Sequence, residues 1–291
     1  MFRYTIATLL AATAFAAGDI DYTQNGLNWG ETHDLCDTGV EQSPIDLTTT
    51  GTTPSDDMNL LLENYTDFKI DADHPELKRE DGSVYVPMTE GDFTLTFPDG
   101  SVHNMEALQL HFHAPSEHTV DGAFYDLEVH FVHLYEDGSL GAVIGVFFDR
   151  EAGGNEDNAF LNGLWEQGEE ASINVKTFFD TVNMEEYWNY DGSLTTPGCN
   201  EGIKWTVIKE VQPINDLQLG LYTEMWAENL DFAGGNGNNR LVQPLNDRIL
   251  YFKGDASVAE LEEGLMGIAD GAYIMSVASA TLTAALAYLA F

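Results

Sequence analysis

The chain has 291 residues, 44% of them apolar and 11% aromatic, a composition that excludes disorder and supplies a sizeable core. Its charge is lopsided: 49 Asp and Glu stand against 11 Lys and Arg, a formal net of -38, which excludes a nucleic-acid binder and repels an anionic membrane surface. A saline setting that screens the self-repulsion is one reading of this surface, and a plain acidic surface with no special partner is the other.

In chain order, residues 1–17 carry one early cation, Arg3, and then an apolar run from Ile6 to Ala17 broken only by Thr. This pattern is expected to be a secretory signal peptide, cleaved between Ala14 and Gly18. Ala14-Phe15 also resembles the junction of plastid-directed leaders. The acidic Asp19-Ile20-Asp21 that follows is unlike a transit peptide, so a plastid-associated compartment is the alternative location. Residues 19–257 are expected to form a single domain. Two cysteines, Cys36 and Cys199, predict one disulfide in an exported chain, closing a loop of about 160 residues. Asn64-Tyr65-Thr66 is an acceptor pattern for N-glycosylation.

Strand patterns follow at Phe93–Phe97, Ala107–His113, Leu127–Leu134, Ala142–Phe148 and Trp205–Ile208, punctuated by Asp-Gly and Gly-Gly turns. Helical patterns are short: Asn158–Trp165, Val175–Phe179 and Leu217–Asn229. The expected class is mainly β, with small helices at the periphery. Residues 258–291 read as a spacer and a tail whose last 20 residues, Ala272–Phe291, carry no charge. Small residues ahead of it, Gly254 to Ser257, fit a GPI-attachment signal, with a retained tail anchor as the alternative. Membrane contact is expected only through this tail or a lipid.

The chemistry concentrates in one stretch. Five of the eight histidines fall between His111 and His133. Side chains alternate along a strand, so Gln109, His111 and His113 share one face, as do Glu128 and His130 on the next strand. If the two strands are neighbours, His111, His113 and His130 converge. Three neutral imidazoles on a rigid sheet make a zinc site with an open fourth position. Gln109 and Glu128 are then placed to accept the other ring N–H of a ligand and fix its tautomer. A rival reading takes His111-x-His113-x3-Glu117 as the start of a cupin motif, with Glu117 itself a ligand to manganese or iron; the later parts of that motif are missing.

Five ordered motifs carry a family resemblance: Gln42-Ser43-Pro44-Ile45-Asp46; His111-Phe-His113 with Ser116-Glu117-His118-Thr119; Glu128-x-His130-x2-His133; Gly192-Ser193-Leu194-Thr195-Thr196-Pro197; and Asn239-Arg240 with Gln243-Pro244-Leu245-Asn246 and Arg248. Together they resemble the α-class carbonic anhydrases over about Tyr22 to Phe252. The resemblance implies one domain around a large twisted, mostly antiparallel sheet of about ten strands. It implies zinc on His111, His113 and His130, and reversible hydration of CO2 to bicarbonate by a zinc-bound hydroxide. Thr195 would accept a hydrogen bond from the nucleophile and donate to Glu117, disfavouring anions with no hydrogen to give. Thr195 and Thr196 would hold bicarbonate, and Val132, Val143, Leu194 and Trp205 would wall the CO2 site. His118 and Tyr190 match a structural hydrogen-bond pair, and Cys36 and Cys199 match the bridge of exported members. The proton shuttle departs from the pattern. Asp92 stands where many members have a histidine, His103 is the nearest upstream histidine, and Asp71–Tyr85 reads as an insertion. Two non-enzymatic readings remain: a catalytically dead relative acting as a binding module, and an acidic mineral- or matrix-associated protein binding Ca2+. The expected small-molecule partners are CO2 and bicarbonate, and the sequence shows no sign of an obligate protein partner.

Overall fold

The computed structural model describes residues 20–254 except 49, 70–84, 89, 166–171 and 228–229. The leader and tail readings, and most of the Asp71–Tyr85 insertion, lie outside the described residues. Among the described residues no helix is long and apolar enough to cross a membrane.

Among the described residues ten strands make the main sheet: β1 (Thr53–Pro54), β2 (Asn59–Glu63), β3 (Tyr85–Pro87), β4 (Asp92–Thr96), β5 (Val102–His113), β6 (Leu127–Tyr135), β7 (Leu140–Phe148), β8 (Tyr187–Ser193), β9 (Glu201–Gln212) and β10 (Tyr251–Lys253). Their order is β1-β10-β8-β9-β7-β6-β5-β4-β2, with β3 also on β5. The sheet is mixed but mostly antiparallel; β7–β9 and β10–β1 are its parallel pairs. Every strand anticipated from alternation exists, most of them longer than expected. The helices are likewise where the pattern put them: α1 (Ala159–Trp165), α2 (Val175–Thr181) and α3 (Asp216–Ala227).

The sheet separates two cores because its central strands are apolar on both faces. One face packs Phe112, Phe131, Ile144 and Phe148 against Phe160 of α1 and Phe178 of α2. The other buries Val132, Val143, Tyr190, Trp205 and Val207. Register turns this second face into ordered rows. Gln109, Val132, Val143, Trp205 and Tyr190 lie directly opposite one another across β5, β6, β7, β9 and β8. The adjacent row runs His111, His130, Gly145, Val207 and Trp188 on the same strands.

One irregularity matters for the site. Val132 pairs with Gln109 but His133 pairs with Ala107, so Leu108 is a bulge residue. A bulge reverses which face the earlier residues take. Leu108 packs with the Trp205 core while Met105 and Ala107 pack with the opposite one. Upstream of Leu108, therefore, the even-numbered residues share the histidine face.

His133 lies behind the sheet, fully buried against Phe93 and sharing a hydrogen bond with the Tyr65 hydroxyl. Burial pushes its pKa down to about 3 from an ordinary 6.5. The folded state then holds fewer protons than the unfolded state between those values, so stability is retained above pH 6.5 and lost as pH falls toward 3. One such group contributes a slope of about 1.4 kcal/mol per pH unit in that window. Urea unfolding of His133→Gln between pH 6.5 and 4.5 should show an acid-side loss shallower by about that amount; an unchanged slope would mean that His133 is protonated in the native state.

Candidate metal centre

His111 and His113 stand two residues apart on β5, and His130 on β6 is directly opposite His111. The three rings meet with centroids 4.6 to 5.2 Å apart, and one nitrogen from each lies within 4.8 Å of the others. Each ring donates its remaining N–H to an acceptor. His111 Nδ1 donates to Gln109 Oε1 at 3.0 Å, His113 Nδ1 to the Asn238 carbonyl at 2.8 Å, and His130 Nε2 to Glu128 Oε1 at 2.8 Å. These bonds fix the tautomers, so Nε2 of His111, Nε2 of His113 and Nδ1 of His130 present lone pairs to one another. His113 Nε2 is fully buried and has no hydrogen-bond partner. Burial drives all three imidazoles toward the neutral form, His113 down to about 3 and His111 well below the ordinary value.

A buried nitrogen left without a partner, as His113 Nε2 is, costs about 1–3 kcal/mol, and the neighbouring lone pairs of His111 and His130 offer it nothing. A divalent cation that accepts nitrogen ligands removes that cost. The donor set, neutral imidazoles with outer acceptors fixing each ring, fits zinc with a free fourth position.

Glu128 is the anchor beneath the rings. Its Oε2 accepts the main-chain N–H of Glu117 and of His118, both at 2.9 Å, while Oε1 takes His118 Nδ1 at 2.7 Å as well as His130. Burial alone would raise its pKa; the two histidines and their hydrogen bonds outweigh that and hold it well below the carboxylate range. Room for the carboxylate comes from Gly145, where a Cβ would stand 2.8 Å from Oε1. His118 Nε2 reaches Tyr190 Oη at 2.6 Å, which donates to Ser43 Oγ at 2.9 Å.

Glu117 is buried beside the triad. Its Oε1 accepts the Arg240 main-chain N–H at 2.8 Å. Its Oε2 makes no hydrogen bond of standard geometry, although the neighbouring Thr195 side chain pulls its pKa down against the burial that raises it well above normal. The nearest triad nitrogens to its oxygens are His113 Nδ1 at 3.4 Å, which faces Asn238, and His130 Nδ1 at 3.8 Å. Glu117 is absent from the clustered ligand groups among the described residues, and the sheet topology is not a cupin barrel, so the cupin reading fails.

Thr195 is buried in the turn after β8, with Thr196 half-buried next to it. Val132, Val143 and Trp205 form one unbroken row, with Leu194 packed alongside. The Trp205 ring lies 4.8 Å from those of His118 and His130. Cys36 and Cys199 are joined, S–S 2.05 Å.

The shuttle candidates separate. The bulge puts His103 on the face opposite the triad, against Phe97 and bonded to Tyr135 Oη at 3.0 Å. It is also eight residues up the strand from His111, about 25 Å away. Asp92 pairs with Glu106 and so lies on the triad face, in a surface cavity of about 490 Å³ lined by Asn64, Thr66, Glu90 and Glu106. Five residues of strand, about 16 Å, separate Glu106 from His111. Asn64 is exposed, with its amide donating to Asp92 Oδ2.

Sequence reasoning missed the third outer acceptor, the Asn238 carbonyl. Asn238 is held in place by its own side chain, which accepts from Ala114 N–H at 3.0 Å and donates to the Phe112 carbonyl at 2.9 Å. A main-chain acceptor has no residue signature; the only signal was the polar run before Arg240.

A family model described as eukaryotic-type carbonic anhydrase matches residues 24–254. The chain belongs to that family. By that membership it is an enzyme of the carbonic anhydrase class, a lyase. A carbonic anhydrase of Neisseria gonorrhoeae is 33% identical, the match covering 85% of this chain and 96% of that one. Among solved structures, the Photobacterium profundum α-carbonic anhydrase is 31% identical with a TM-score of 0.58, covering 79% of this chain and 95% of that one. A halotolerant carbonic anhydrase from Dunaliella salina is 26% identical with a TM-score of 0.64, covering 81% and 98%.

Glu128→Gln turns an amide NH2 toward groups that all donate. Metal affinity should fall about 10–100-fold in competition with a chelator such as dipicolinate. The metal-free protein should lose about 3 kcal/mol in urea unfolding. Unaltered metal affinity would show that Glu128 does not hold His130.

Proposed function

We propose that the chain hydrates CO2 to bicarbonate reversibly, with zinc held by His111 Nε2, His113 Nε2 and His130 Nδ1. The observation that carries this reading is the orphaned, buried Nε2 of His113, aimed with two other lone pairs at one point. Zinc, when bound, supplies a Lewis acid strong enough to bring a water's pKa near 7, and hence a nucleophile at neutral pH.

The protein's own groups do the rest. Gln109, Asn238 and Glu128 hold the three rings in the ligand tautomer. The Thr195 hydroxyl donates to Glu117 and can then only accept from the nucleophile, which aims the attacking lone pair and rejects anions with no hydrogen. Thr195 N–H and Thr196 receive the product. CO2 has almost no polar handle, so the row Val132, Val143, Trp205 and neighbouring Leu194 places it by shape. In the reverse direction the same groups hold bicarbonate for dehydration.

The purified protein should contain about one zinc per chain and show CO2 hydration by stopped flow. His113→Ala should lose both metal and activity. Full activity without zinc would sink the assignment.

For proton export the residue to test is Asp92, which the strand register puts on the triad face. A relay works best when its pKa lies near that of the group it serves, about 7, which imidazole matches better than an ordinary carboxylate. Turnover should therefore climb steeply with the concentration of an imidazole-type buffer. Asp92→His should raise turnover at low buffer and leave kcat/KM for CO2 nearly unchanged, since that ratio reports attack and not proton export. No gain at any buffer concentration would place the exit route away from Asp92.

We also infer export through an oxidising compartment, supported by the Cys36–Cys199 bridge, with a removable leader and a C-terminal GPI-attachment signal as read from the sequence.

A further inference from the structure

A second buried polar assembly joins two of the quoted motifs, and neither the resemblance nor the proposed reaction gives its central residue, Gln42, a role. Gln42 is 3% exposed. Its Oε1 accepts from Arg240 Nη1 at 3.0 Å, and its Nε2 donates to the Cys199 carbonyl at 3.0 Å and to Glu201 Oε1 at 2.9 Å. Two of these three partners, Arg240 and Cys199, lead to the candidate centre. Arg240, itself 1% exposed, donates its main-chain N–H to Glu117 Oε1. Cys199 closes the turn that carries Thr195 and Thr196, its N–H donating to the Thr196 carbonyl at 2.9 Å. One amide thus bridges the segment that holds Glu117 and the turn that holds Thr195.

We propose that Gln42 is a positioning residue for the reaction: it sets the alignment of the Thr195 hydroxyl with the Glu117 carboxylate. The inference rests on the roles proposed above for Thr195 and Glu117. The chemistry of the position requires an amide. Arg240 needs an acceptor and Cys199 needs a donor, and only a side chain that offers both at opposite edges satisfies them together. A carboxylate would turn lone pairs toward the Cys199 carbonyl and Glu201. An apolar isostere would leave buried groups unpaired on both sides. The Cys36–Cys199 bond ties the same turn to the Cys36 segment, whose carbonyl accepts from Arg240 Nη2 at 3.1 Å, and Gln42 adds a second tie between the same guanidinium and the same turn. Small errors of alignment are expensive, since a displacement of about 1 Å can cost a hundredfold in rate.

The test compares two inhibitors on the full-length enzyme. A primary sulfonamide, sulfanilamide, brings an N–H that needs a correctly aimed Thr195 Oγ to accept it. Thiocyanate has no hydrogen to donate. Gln42→Met should weaken sulfanilamide about tenfold, leave thiocyanate within about twofold or tighten it, and lower kcat/KM for CO2 about tenfold, at unchanged zinc content. Gln42→Asn, which keeps the amide but is one methylene too short for both partners, should move the same ratio in the same direction and serves where the Met variant does not fold. Equal weakening of both inhibitors, or a lowered melting temperature with an unmoved ratio, would reduce Gln42 to a structural residue and overturn the proposal. Thr195→Ala separates the two levels. If it moves the ratio while neither Gln42 variant does, this inference alone fails; if it leaves the ratio unmoved, the reading of Thr195 fails and takes this inference with it.

Discussion

The site depends on one buried carboxylate. Removing Glu128 from water is unfavourable by itself, and four N–H donors converge on it to reverse that balance. Those donors belong to different parts of the chain: the His130 ring across the sheet face, the His118 ring, and the main chain at Glu117 and His118. Satisfying Glu128 therefore fixes the orientation of a candidate metal ligand and the path of the loop that carries Glu117. It also constrains the sheet, because β7 must have a glycine at position 145 for the carboxylate to fit. Through His118 the constraint extends to Tyr190 on β8 and Ser43 near the N-terminus. Ser43 and Ser193 then exchange hydrogen bonds at 2.9 and 3.0 Å, which places the start of the Thr195 turn.

How much of this was legible follows from what kind of contact makes each part. The histidine triad was readable because strand alternation is a local rule and β5 and β6 obey it between Gln109 and His113 and between Glu128 and Val132. Gln109 and Glu128 were readable for the same reason. The rule broke at Leu108. Straight alternation back from His111 puts His103 on the triad face, whereas the bulge turns it to the other, and nothing in the residues around Leu108 announces the extra one. β8 was missed because Asn189, Asp191 and Gly192 are poor strand formers; it exists because β9 and β10 flank it, and Gly192 leaves space for Ser43 Oγ, 2.2 Å from where a Cβ would be. Asn238 acts through its carbonyl, and a carbonyl is the one group every residue shares.

The two faces of the sheet divide labour. The α1–α2 side is an aromatic core, with Phe160 and Phe178 stacked at 4.3 Å, and the histidine buried on that side, His133, is kept neutral. The candidate metal centre sits on the other face, where the apolar row Val132, Val143, Trp205 borders the row of His111 and His130 one pleat away. A neutral gas and an ionic nucleophile need opposite surroundings within a few ångströms of each other. Two adjacent rows on a rigid sheet supply both without a flexible loop having to bring them together.

The scarcity of cations sharpens this arrangement. With 49 acids and 11 Lys and Arg, pairing cannot neutralise the surface, and exposed pairs such as Lys176 with Asp180 contribute little in any case. Two of the described arginines are instead spent largely on main-chain carbonyls. Arg240 donates to those of Cys36 and Ser43, and Arg248 to those of Gln42, Asp191, Pro244 and Leu245. Neither contact is with a carboxylate, although carboxylates are everywhere. Burial lowers the pKa of both arginines, yet an arginine stays charged at any working pH, and a buried guanidinium offers five donors in a rigid fork that water cannot displace. Both arginines bind the Gln42–Ser43 segment, which in turn brackets the Thr195 turn through Ser193 and Cys199. These two arginines, one buried and one half-buried, therefore fasten the Thr195 turn, while the acidic surface is left to solvent and salt.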